Sequence, residues 1–468
     1  MVFSSMTFLC VFLPVVFLLY YILPDLRIRN GLLIIASLLF YAYGEPVYVL
    51  LMLLSIFMNY FLGRMLGIRS ETGRKLVVAA AVVTNLSLLF IFKYTDMVLK
   101  TVNQISHSEL PMANLALPIG ISFFTFQALS YVIDVYRGEA HAEKNVLHVM
   151  LYISFFPQLI AGPIVKYHDI QEQIRKRKAD SQEIAEGMRR FIVGLSKKVL
   201  ISNTMAYAAD ILFSLQASEM NVLSAWTAAI AYLFQIYFDF SGYSDMAIGL
   251  GHMFGFGFRE NFNYPYISGS IKEFWRRWHI SLSTWFKEYL YIPLGGNRRG
   301  RVRTCINKLI VFFATGLWHG ANWTFVIWGL WHGMFILLEE VFPVKKLPKV
   351  LQHMYVFLVV CIGFVMFRAD TFSQGMMMIG NMFTGWEFEN QQITEMLSVL
   401  TPVFLITLVC AAIGSMPVLP KLKVWVGASI VKNRAAELFG YIGTVFLLVL
   451  CMLALSGGTY NPFIYFRF

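Results

Sequence analysis

Apolar runs recur along the whole chain and are separated by short polar or basic stretches. A helix that crosses the hydrocarbon core of a bilayer needs about 20 apolar residues, and many runs approach that length. The pattern predicts an all-α, polytopic integral membrane protein with about 11 transmembrane helices plus re-entrant or interfacial helices. The apolar segments are 7–23, 31–43, 46–62, 76–93, 117–136, 145–163, 189–215, 222–257, 305–318, 322–340, 351–368, 396–414 and 436–456.

Composition supports this membrane class and excludes several others. The 468 residues are 58% hydrophobic and only 14% charged, whereas soluble proteins carry about 45–50% apolar and about 25% charged residues. A soluble enzyme, a disordered tail and a disulfide-rich secreted scaffold are therefore excluded. The net charge of +11 comes from short basic blocks between apolar runs, which is typical of cytoplasmic loops and not of a nucleic-acid partner.

Two segments do not resemble simple spans. Residues 170–198 have a basic, polar first half followed by apolar residues, which favours an amphipathic helix in the cytoplasmic interface. Residues 259–304 are rich in Trp, Tyr, Gly and basic residues although apolar segments flank them. Irregular backbone at membrane depth is tolerated only inside protein or beside a wet cavity, so we expect the functional site in this second segment.

Three of the nine histidines lie in unusual surroundings in one third of the chain: His279, His319 and His332. An ionisable residue within an apolar run is costly and is a functional candidate, and His319 is the sharpest case. The alternative is a core histidine bonded to a backbone carbonyl. His332 shares the Trp-His-Gly motif of His319 and could be the reactive one, although a structural role is favoured for it. The two histidines are 13 positions apart, which would be about 20 Å along one continuous helix.

No familiar catalytic or metal motif is present. HExxH, Walker A, a dinucleotide fingerprint and GxSxG are absent, and the five cysteines have no metal or redox spacing. We therefore predict no metal site, and favour a direct transfer in which a neutral histidine acts as general base toward a hydroxyl group. The Gly-rich basic loop could bind a donor phosphate or be an ordinary cytoplasmic loop. Its phosphate-binding candidates are Arg298, Arg299 and Arg301.

Two carboxylates, Asp239 and Asp245, occur within an apolar segment. Their spacing of six residues puts them about 120° apart on a helix, which argues against a carboxylate dyad. Structural anchoring is the first interpretation. Nearby Tyr and Ser hydroxyls, or Arg276 and Arg277, are the expected partners.

Several long motifs in a fixed order resemble the membrane-bound O-acyltransferase (MBOAT) family, in its bacterial polysaccharide branch. The resemblance covers nearly the whole chain. Its motifs are LPIGISF (117–123), FPQLIAGP (156–163), YFDFSGYSD (237–245), NFNYPY (261–266), EFWRRWHISLS (273–283), YIPLGGN (291–297), GLWHG (316–320) and PFIYF (462–466).

The resemblance implies a single MBOAT transmembrane domain over 1–468, with core motifs in 117–335, arranged as a funnel of tilted helices. It implies that His319 is the family's reactive histidine and that His279, 40 residues earlier, is its second polar residue. One departure is Lys287-Glu288, where Arg-Asp is expected. We predict that six further residues line the tunnel or the substrate: Trp278, Ser283, Trp318, Asn322, Asp239 and Tyr243.

The implied donor is acetyl-CoA or an equivalent thioester, used as a substrate, with no cofactor. The implied acceptor is an extracytoplasmic protein that serves O-acetylation of an exopolysaccharide (alginate-like) or of a cell-wall polymer. We expect a multi-pass protein in the bacterial inner membrane, in contact with lipid. The alternatives are D-alanyl transfer to teichoic acid, a scaffold without chemistry, and a transporter. A transporter would be expected to contain internal repeats, which the sequence does not show.

Overall fold

The structure is a computed structural model that describes residues 1–67, 70–418, 434–458 and 460–464, and the side chains of all of these except residues 434–436. Helices are the only regular secondary structure in these ranges, which confirms the all-α prediction. Tyr465 and Phe466 of the closing motif lie outside the described residues.

The chain divides into two compact units, and the first comprises Met1–Phe191 and Met246–Arg259. Its interior contains a group of phenylalanine rings, among them Phe3, Phe8, Phe40 and Phe156, with ring centroids 5.0–6.5 Å apart. Edge-to-face and tilted packing of this kind stabilises an aromatic core. The helices are α1 Leu13–Ile22, α2 Leu26–Ala42, α3 Tyr48–Leu66, α4 Glu71–Lys93, α5 Thr95–Ser106, α6 Ile121–Arg137, α7 Val146–Ser154, α8 Phe156–Leu159, α9 Tyr167–Arg175 and α10 Ser181–Ser196, whose last turns pass into the second unit.

The second unit comprises Ile192–Asp245 and Glu260–Phe468, and it contains all the predicted catalytic and lining residues. The prediction of one MBOAT domain over the whole chain stays a prediction. The helices are α11 Asn203–Phe213, α12 Val222–Met253, α13 Ile271–Arg277, α14 Ile280–Phe286, α15 Arg301–His319, α16 Trp323–Val341, α17 Lys349–Arg368, α18 Phe372–Thr384, α19 Asn390–Val399, α20 Pro402–Gly414 and α21 Arg434–Gly457, and the last turns of α12 lie in the first unit.

Six helices among the described residues are long and apolar enough to cross a membrane, or seven if the bent pair α19 and α20 is one span broken by 64°. The first apolar helix, Phe8–Ile22, is shorter than these. The predicted count of about 11 transmembrane helices is therefore not confirmed. The six candidates are Tyr48–Leu66, Glu71–Lys93, Val222–Met253, Trp323–Val341, Lys349–Arg368 and Glu437–Gly457.

The segment 259–304 has the broken backbone that its sequence predicts. Two short α-helices, α13 and α14, are joined through Trp278 and His279, and a π-helical turn, Lys287–Tyr291, follows. Tyr264 and His279 have φ angles of 46° and 44°, which is uncommon for residues with a side chain. The basic segment near residue 180 also divides, into α9 and α10. Its placement at the membrane interface stays a prediction.

Helices α15 and α16 approach each other closely because glycines lie at their contact. A β-carbon on Gly316 would lie 2.4 Å from the carbonyl oxygen of Phe325, and one on Gly329 would lie 2.3 Å from that of Phe312. Small residues permit this kind of backbone contact between membrane helices. The close contact fixes the end of α15, where His319 lies.

Candidate active site

His279 is held in a strained conformation between α13 and α14. It occupies the position before the first residue of α14, with left-handed backbone angles (φ 44°, ψ 55°), and its side chain is fully buried. Two backbone hydrogen bonds fix the segment, from the Ile280 N–H to the Asn261 carbonyl and from the Asn263 N–H to the Arg277 carbonyl, both 2.9 Å. Strain of this kind persists only where the surroundings impose it, and it concentrates at functional sites.

The side chain of Asn261 determines which nitrogen of His279 carries a proton. The backbone N–H of Ser281 lies 3.1 Å from Asn261 Oδ1, and because an N–H can only donate, that atom is the oxygen. His279 Nδ1 lies 3.3 Å from the same oxygen and is therefore the protonated nitrogen. Asn261 Nδ2 is directed to the Ser244 hydroxyl at 3.1 Å. The network assigns the tautomer and leaves Nε2 of His279 as an acceptor.

His279 is neutral in this environment. Burial lowers its pKa well below the ordinary value of about 6.5 for histidine, and the neighbouring His319 lowers the pKa further. Its Nε2 is buried and has no hydrogen-bond partner among the described residues. A buried acceptor without a partner costs free energy, so this atom is available to a donor that arrives with a substrate.

His319 is the last residue of α15 and is 95% buried. Its ring lies 6.2 Å from that of His279, measured between centroids, while Nδ1 of His279 faces Asn261 and its Nε2 has no hydrogen-bond partner among the described residues. The two predicted catalytic histidines are therefore neighbours that do not bond to each other. Three further rings surround His319 at centroid distances of 5.0–5.3 Å: Trp318, Trp328 and Phe367.

His332 lies outside this pair. It is fully buried in the middle of α16, where its ring stacks on Phe274 at 6.0 Å and meets the edge of Trp275 at 5.3 Å. The indole of Trp328 lies between the two Trp-His-Gly histidines, 5.0 Å from His319 and 5.2 Å from His332. The structure thus brings His319, and not His332, next to His279.

The predicted lining residues divide by how near they are to the two histidines. Trp318 is buried and lies 5.8 Å from the His279 ring. Ser283 is one turn after His279, its N–H donates to the His279 carbonyl at 3.1 Å, and its hydroxyl has no partner in the described part of the chain. Trp278 packs on Phe262 and Phe364, with ring centroids 5.0 and 5.2 Å apart.

Asn322 is occupied by structural contacts. Its side-chain oxygen accepts from the N–H of Thr324 at 3.2 Å and caps α16, which is a preferred role for asparagine at a helix start. Its amide donates to the carbonyl of Asp370 at 2.8 Å. A substrate-lining role for Asn322 stays a prediction.

The two acids of α12 pair with lysines, so the expectation that Arg276 and Arg277 are their partners is wrong. Asp239 lies 2.7 Å from Lys198 Nζ, and both side chains are at least 97% buried. Asp245 lies 2.5 Å from Lys197. The adjacent lysines of a π-helical turn, Lys197–Ser202, thus reach acids six residues apart, which confirms the anchoring interpretation.

The chain's closing segment adds to this anchor. Asp239 Oδ2 accepts from the backbone N–H of Ile464 at 2.8 Å, and Lys198 donates to the carbonyl of Pro462. Tyr243 is buried, with its ring 5.0 Å from that of Phe463. Asp239 and Tyr243 therefore face the chain's end, and their predicted substrate contact stays a prediction.

The basic loop candidates Arg298, Arg299 and Arg301 are all exposed. Asn307 supports the loop by donating to the carbonyl of Gly296 at 2.9 Å. The phosphate-binding role of this loop stays a prediction.

One group of described side chains has the spacing of metal ligands: Asp134, Glu139 and His168, with ligand atoms within 4.8 Å of one another. The hydrogen bond between His168 Nδ1 and Asp134, 2.9 Å long, raises the pKa of His168 although burial opposes this. The contact between His168 and Asp134 accounts for the closeness of these groups as an ion pair. The absence of a metal site stays a prediction.

Sequence reasoning did not find the role of Asn261. The residue opens the NFNYPY motif, but its contact with His279 joins positions 18 apart across irregular backbone and has no periodic signature. It also did not find Trp328 and Phe367, whose rings reach His319 from α16 and α17. A signal did exist for Trp328, since it lies in the same short apolar run as His332.

Comparison with known proteins gives the family. The MBOAT, membrane-bound O-acyltransferase, family matches residues 74–368. The chain is 45% identical over 406 residues to a Pseudomonas aeruginosa protein named "Probable alginate O-acetylase AlgI", covering 85% of this chain and 77% of that protein. It is 40% identical, over an alignment of 491 positions, to the Pseudomonas putida protein of the same name, with 100% of both chains covered. It is 37% identical over 421 residues to a Helicobacter pylori peptidoglycan O-acetyltransferase, covering 82% and 80%.

Both kinds of relative are named for O-acetyl transfer, and the apolar helices agree with a membrane location. The family match covers the segment that contains His279 and His319. The chain belongs to the membrane-bound O-acyltransferase family and is a multi-pass membrane O-acyltransferase.

Proposed function

We propose that this protein transfers an acetyl group from a cytoplasmic thioester, acetyl-CoA or an equivalent, to an acceptor on the extracytoplasmic side of a bacterial inner membrane. The acetyl group then serves O-acetylation of an exopolysaccharide or a cell-wall polymer. The observation that carries the proposal is the buried pair of His319 and His279, 6.2 Å apart between ring centroids. The O-acetylating relatives support acetyl as the transferred group.

His319 is the general base in this mechanism. It takes the proton of the acceptor hydroxyl, whose oxygen attacks the carbonyl carbon of the thioester. A C–O bond forms, the C–S bond breaks, and the proton passes to the departing thiolate. The products are an acetyl ester and a free thiol, so atoms and charges balance. A neutral imidazole is suited to this step because its ordinary pKa is close to the working pH.

His279 orients the reaction. Asn261 holds its proton on Nδ1, so Nε2 accepts a hydrogen bond from a group placed between the two rings. The acceptor hydroxyl or an intervening water is such a group. Trp318, whose ring lies within 5.8 Å of both imidazoles, excludes bulk water from the reacting atoms, which strengthens each polar contact.

The acceptor is a partner protein, or a hydroxyl that such a partner presents, on the extracytoplasmic side. Burial of the histidines supports a reaction inside the protein, which an acceptor must reach from one side and a donor from the other. Inverted membrane vesicles test this arrangement because they expose the cytoplasmic face. Radiolabel from added acetyl-CoA is expected to enter material enclosed in inverted vesicles, and much less in right-side-out vesicles.

The matched control for His319→Ala is His332→Ala, because both residues are buried histidines of a Trp-His-Gly motif. Loss of label transfer in His319→Ala, with transfer retained in His332→Ala, supports the proposal. Equal transfer in wild type and His319→Ala contradicts it and favours a scaffold. Thermal unfolding in detergent checks that both variants fold, and His332→Phe replaces His332→Ala if that variant does not.

A further inference from the structure

Helix α5, Thr95–Ser106, is amphipathic, and none of its side chains is buried. Val98, Val102 and Ile105 follow the i, i+4 and i+7 spacing of a single helix face, and they are 42%, 39% and 77% exposed. These three residues form the apolar face of α5. In a helix that packs on a protein core such a face turns inward, whereas here no other described segment buries it.

The polar side of α5 is covered by the loop that follows the helix. Asp96 Oδ1 accepts from the backbone N–H groups of Ala113 and Asn114 at 2.7 and 3.2 Å. Asn103 bonds to Leu110 twice, accepting from its N–H and donating to its carbonyl, both at 2.9 Å. Asp96 and Asn103 are seven positions apart and share a side of the helix, about 140° around the axis from the apolar face. The loop therefore covers the polar side and leaves the apolar face bare.

The position of α5 in the chain places it at the end of a membrane-spanning candidate. α4 is one of the six candidate spans, and only Tyr94 separates it from α5. The backbone angles of Tyr94 (φ −112°, ψ −10°) depart from those of an α-helix, so the two helices are not continuous. The apolar face of α5 thus follows directly on a surface of α4 that would contact lipid, formed by side chains that are 45–62% exposed: Val83, Leu86, Phe90 and Ile91.

The distribution of basic residues indicates which side of the membrane α5 occupies. Arg64, Arg74 and Lys75 lie at the other end of α4, around its connection to α3, and an excess of Lys and Arg is typical of cytoplasmic loops. Residues 95–117 contain a single basic residue, Lys100. Because α4 crosses the membrane between these two regions, α5 belongs to the extracytoplasmic side.

We propose that α5 lies in the plane of the membrane, with its apolar face between the headgroups and the acyl chains of the extracytoplasmic leaflet. A helix of 12 residues is marginal by itself in water, whereas burial of an apolar face at this boundary stabilises it. The charges of Asp96 and Lys100 cancel, so attraction to anionic headgroups is not required. An extracytoplasmic protein is the competing occupant of this face, and continuity with the exposed surface of α4 favours lipid.

Photo-crosslinking tests which molecule covers the apolar face. The reporter p-benzoylphenylalanine replaces Ile105 in one variant and Gln104 in a second, matched variant, because Gln104 is exposed and lies outside the apolar face. The variants are irradiated in native membranes that contain radiolabelled phospholipid. Several-fold more lipid label is expected on the Ile105 variant than on the Gln104 variant. The same reporter at Phe90 of α4 is the positive control for lipid contact.

The other outcomes of this experiment contradict the proposal. Equal lipid label at positions 104 and 105, or label at position 90 alone, overturns it. A discrete protein adduct at position 105 instead of lipid favours the competing occupant. The reporter at Val98 tests the orientation, because a helix in the membrane plane gives lipid label at both ends of the apolar face. Label at position 98 without label at position 105 would mean that α5 stands away from the membrane.

A membrane-impermeant maleimide tests the side. Labelling of Gln104→Cys above the wild-type background is expected in right-side-out vesicles and is not expected in inverted vesicles. Labelling in inverted vesicles alone overturns the assignment to the extracytoplasmic leaflet.

Hydrogen exchange in phosphatidylcholine nanodiscs tests whether the membrane contact stabilises α5. Ile105→Asp places a charge on the apolar face and is expected to speed exchange of the α5 amides by about tenfold or more. Gln104→Asp, the matched control, adds the same charge outside that face and is expected to leave exchange as in wild type. The amides of α6 check that both variants fold. Equal exchange of α5 in the two variants overturns the proposal.

Discussion

The imidazole of His279 lies against the carboxamide of Asn261, with Nδ1 and Oδ1 3.3 Å apart. The Ser281 N–H identifies the asparagine atom as oxygen, so the proton of the neutral ring resides on Nδ1. One amide thereby fixes both the tautomer of a buried histidine and the direction of its free nitrogen. This relationship makes Asn261 a positioning residue for the proposed transfer.

Replacing Asn261 with Ala is expected to lower kcat by at least about tenfold. A tenfold loss corresponds to about 1.4 kcal/mol of activation free energy. The reason is that the substitution removes the group that selects the His279 tautomer. Asn261→Ala can also weaken the fold through Ser244 and Ser281. The measurement is therefore acetyl transfer together with thermal unfolding, and unchanged transfer in a folded variant contradicts the assignment.

Asn261→Asp tests the same contact through pH. A carboxylate next to His279 raises the pKa of the ring, whereas in wild type burial and His319 lower it. Below the raised pKa the ring gains a proton on Nε2 and loses its acceptor. The acid limb of the rate profile is expected to move to higher pH in Asn261→Asp, with activity recovering as pH rises. Coincident rate profiles for wild type and Asn261→Asp, measured over about pH 5.5–8.5, would contradict the role assigned to the contact between residue 261 and His279.

Sequence patterns predicted the helical class and the broken backbone of the segment 259–304 for physical reasons that the structure makes visible. Apolar runs of membrane length leave few other folds, and a Trp- and Arg-rich stretch between them requires broken backbone, as found around His279. The proximity of His279 and His319 came from the resemblance of their motifs, because a spacing of 40 residues has no geometric meaning by itself.

Contacts made by side chains across irregular backbone could not be predicted in this way. Asp239 and Asp245 clearly needed partners, but sequence alone did not indicate that Lys198 and Lys197 would reach them from a π-helical turn. Nearby Tyr and Ser hydroxyls, or Arg276 and Arg277 later in the chain, were expected instead. The choice depends on how α12 lies beside that turn, which is a property of tertiary packing.

Gly316→Ala is expected to destabilise the protein by about 1–3 kcal/mol, the usual cost of overpacking. Its β-carbon would meet the Phe325 carbonyl oxygen at 2.4 Å, so α15 and α16 must separate and His319 must move. The control is Gly31→Ala in α2, where no atom lies within 4 Å of the added carbon. Thermal unfolding in detergent should show a loss for Gly316→Ala and none for Gly31→Ala, since alanine favours helix. Equal behaviour of the two variants would mean that the helices tolerate separation.

Asp239→Ala is expected to cost about 3–5 kcal/mol, because it leaves the buried ammonium of Lys198 without its carboxylate and the Ile464 N–H without its acceptor. Asp245→Ala is the matched control on the same helix: its pair with Lys197 is partly exposed, and such pairs contribute about 0–1 kcal/mol. The double variant Asp239→Ala/Lys198→Met should recover part of the loss, since it removes both buried charges. Thermal unfolding of wild type and of these three variants measures the two losses and the recovery. Equal losses of stability in Asp239→Ala and Asp245→Ala would show that burial does not set the strength of the anchor. A loss of acetyl transfer without a loss of stability in Asp239→Ala would instead support the predicted substrate contact.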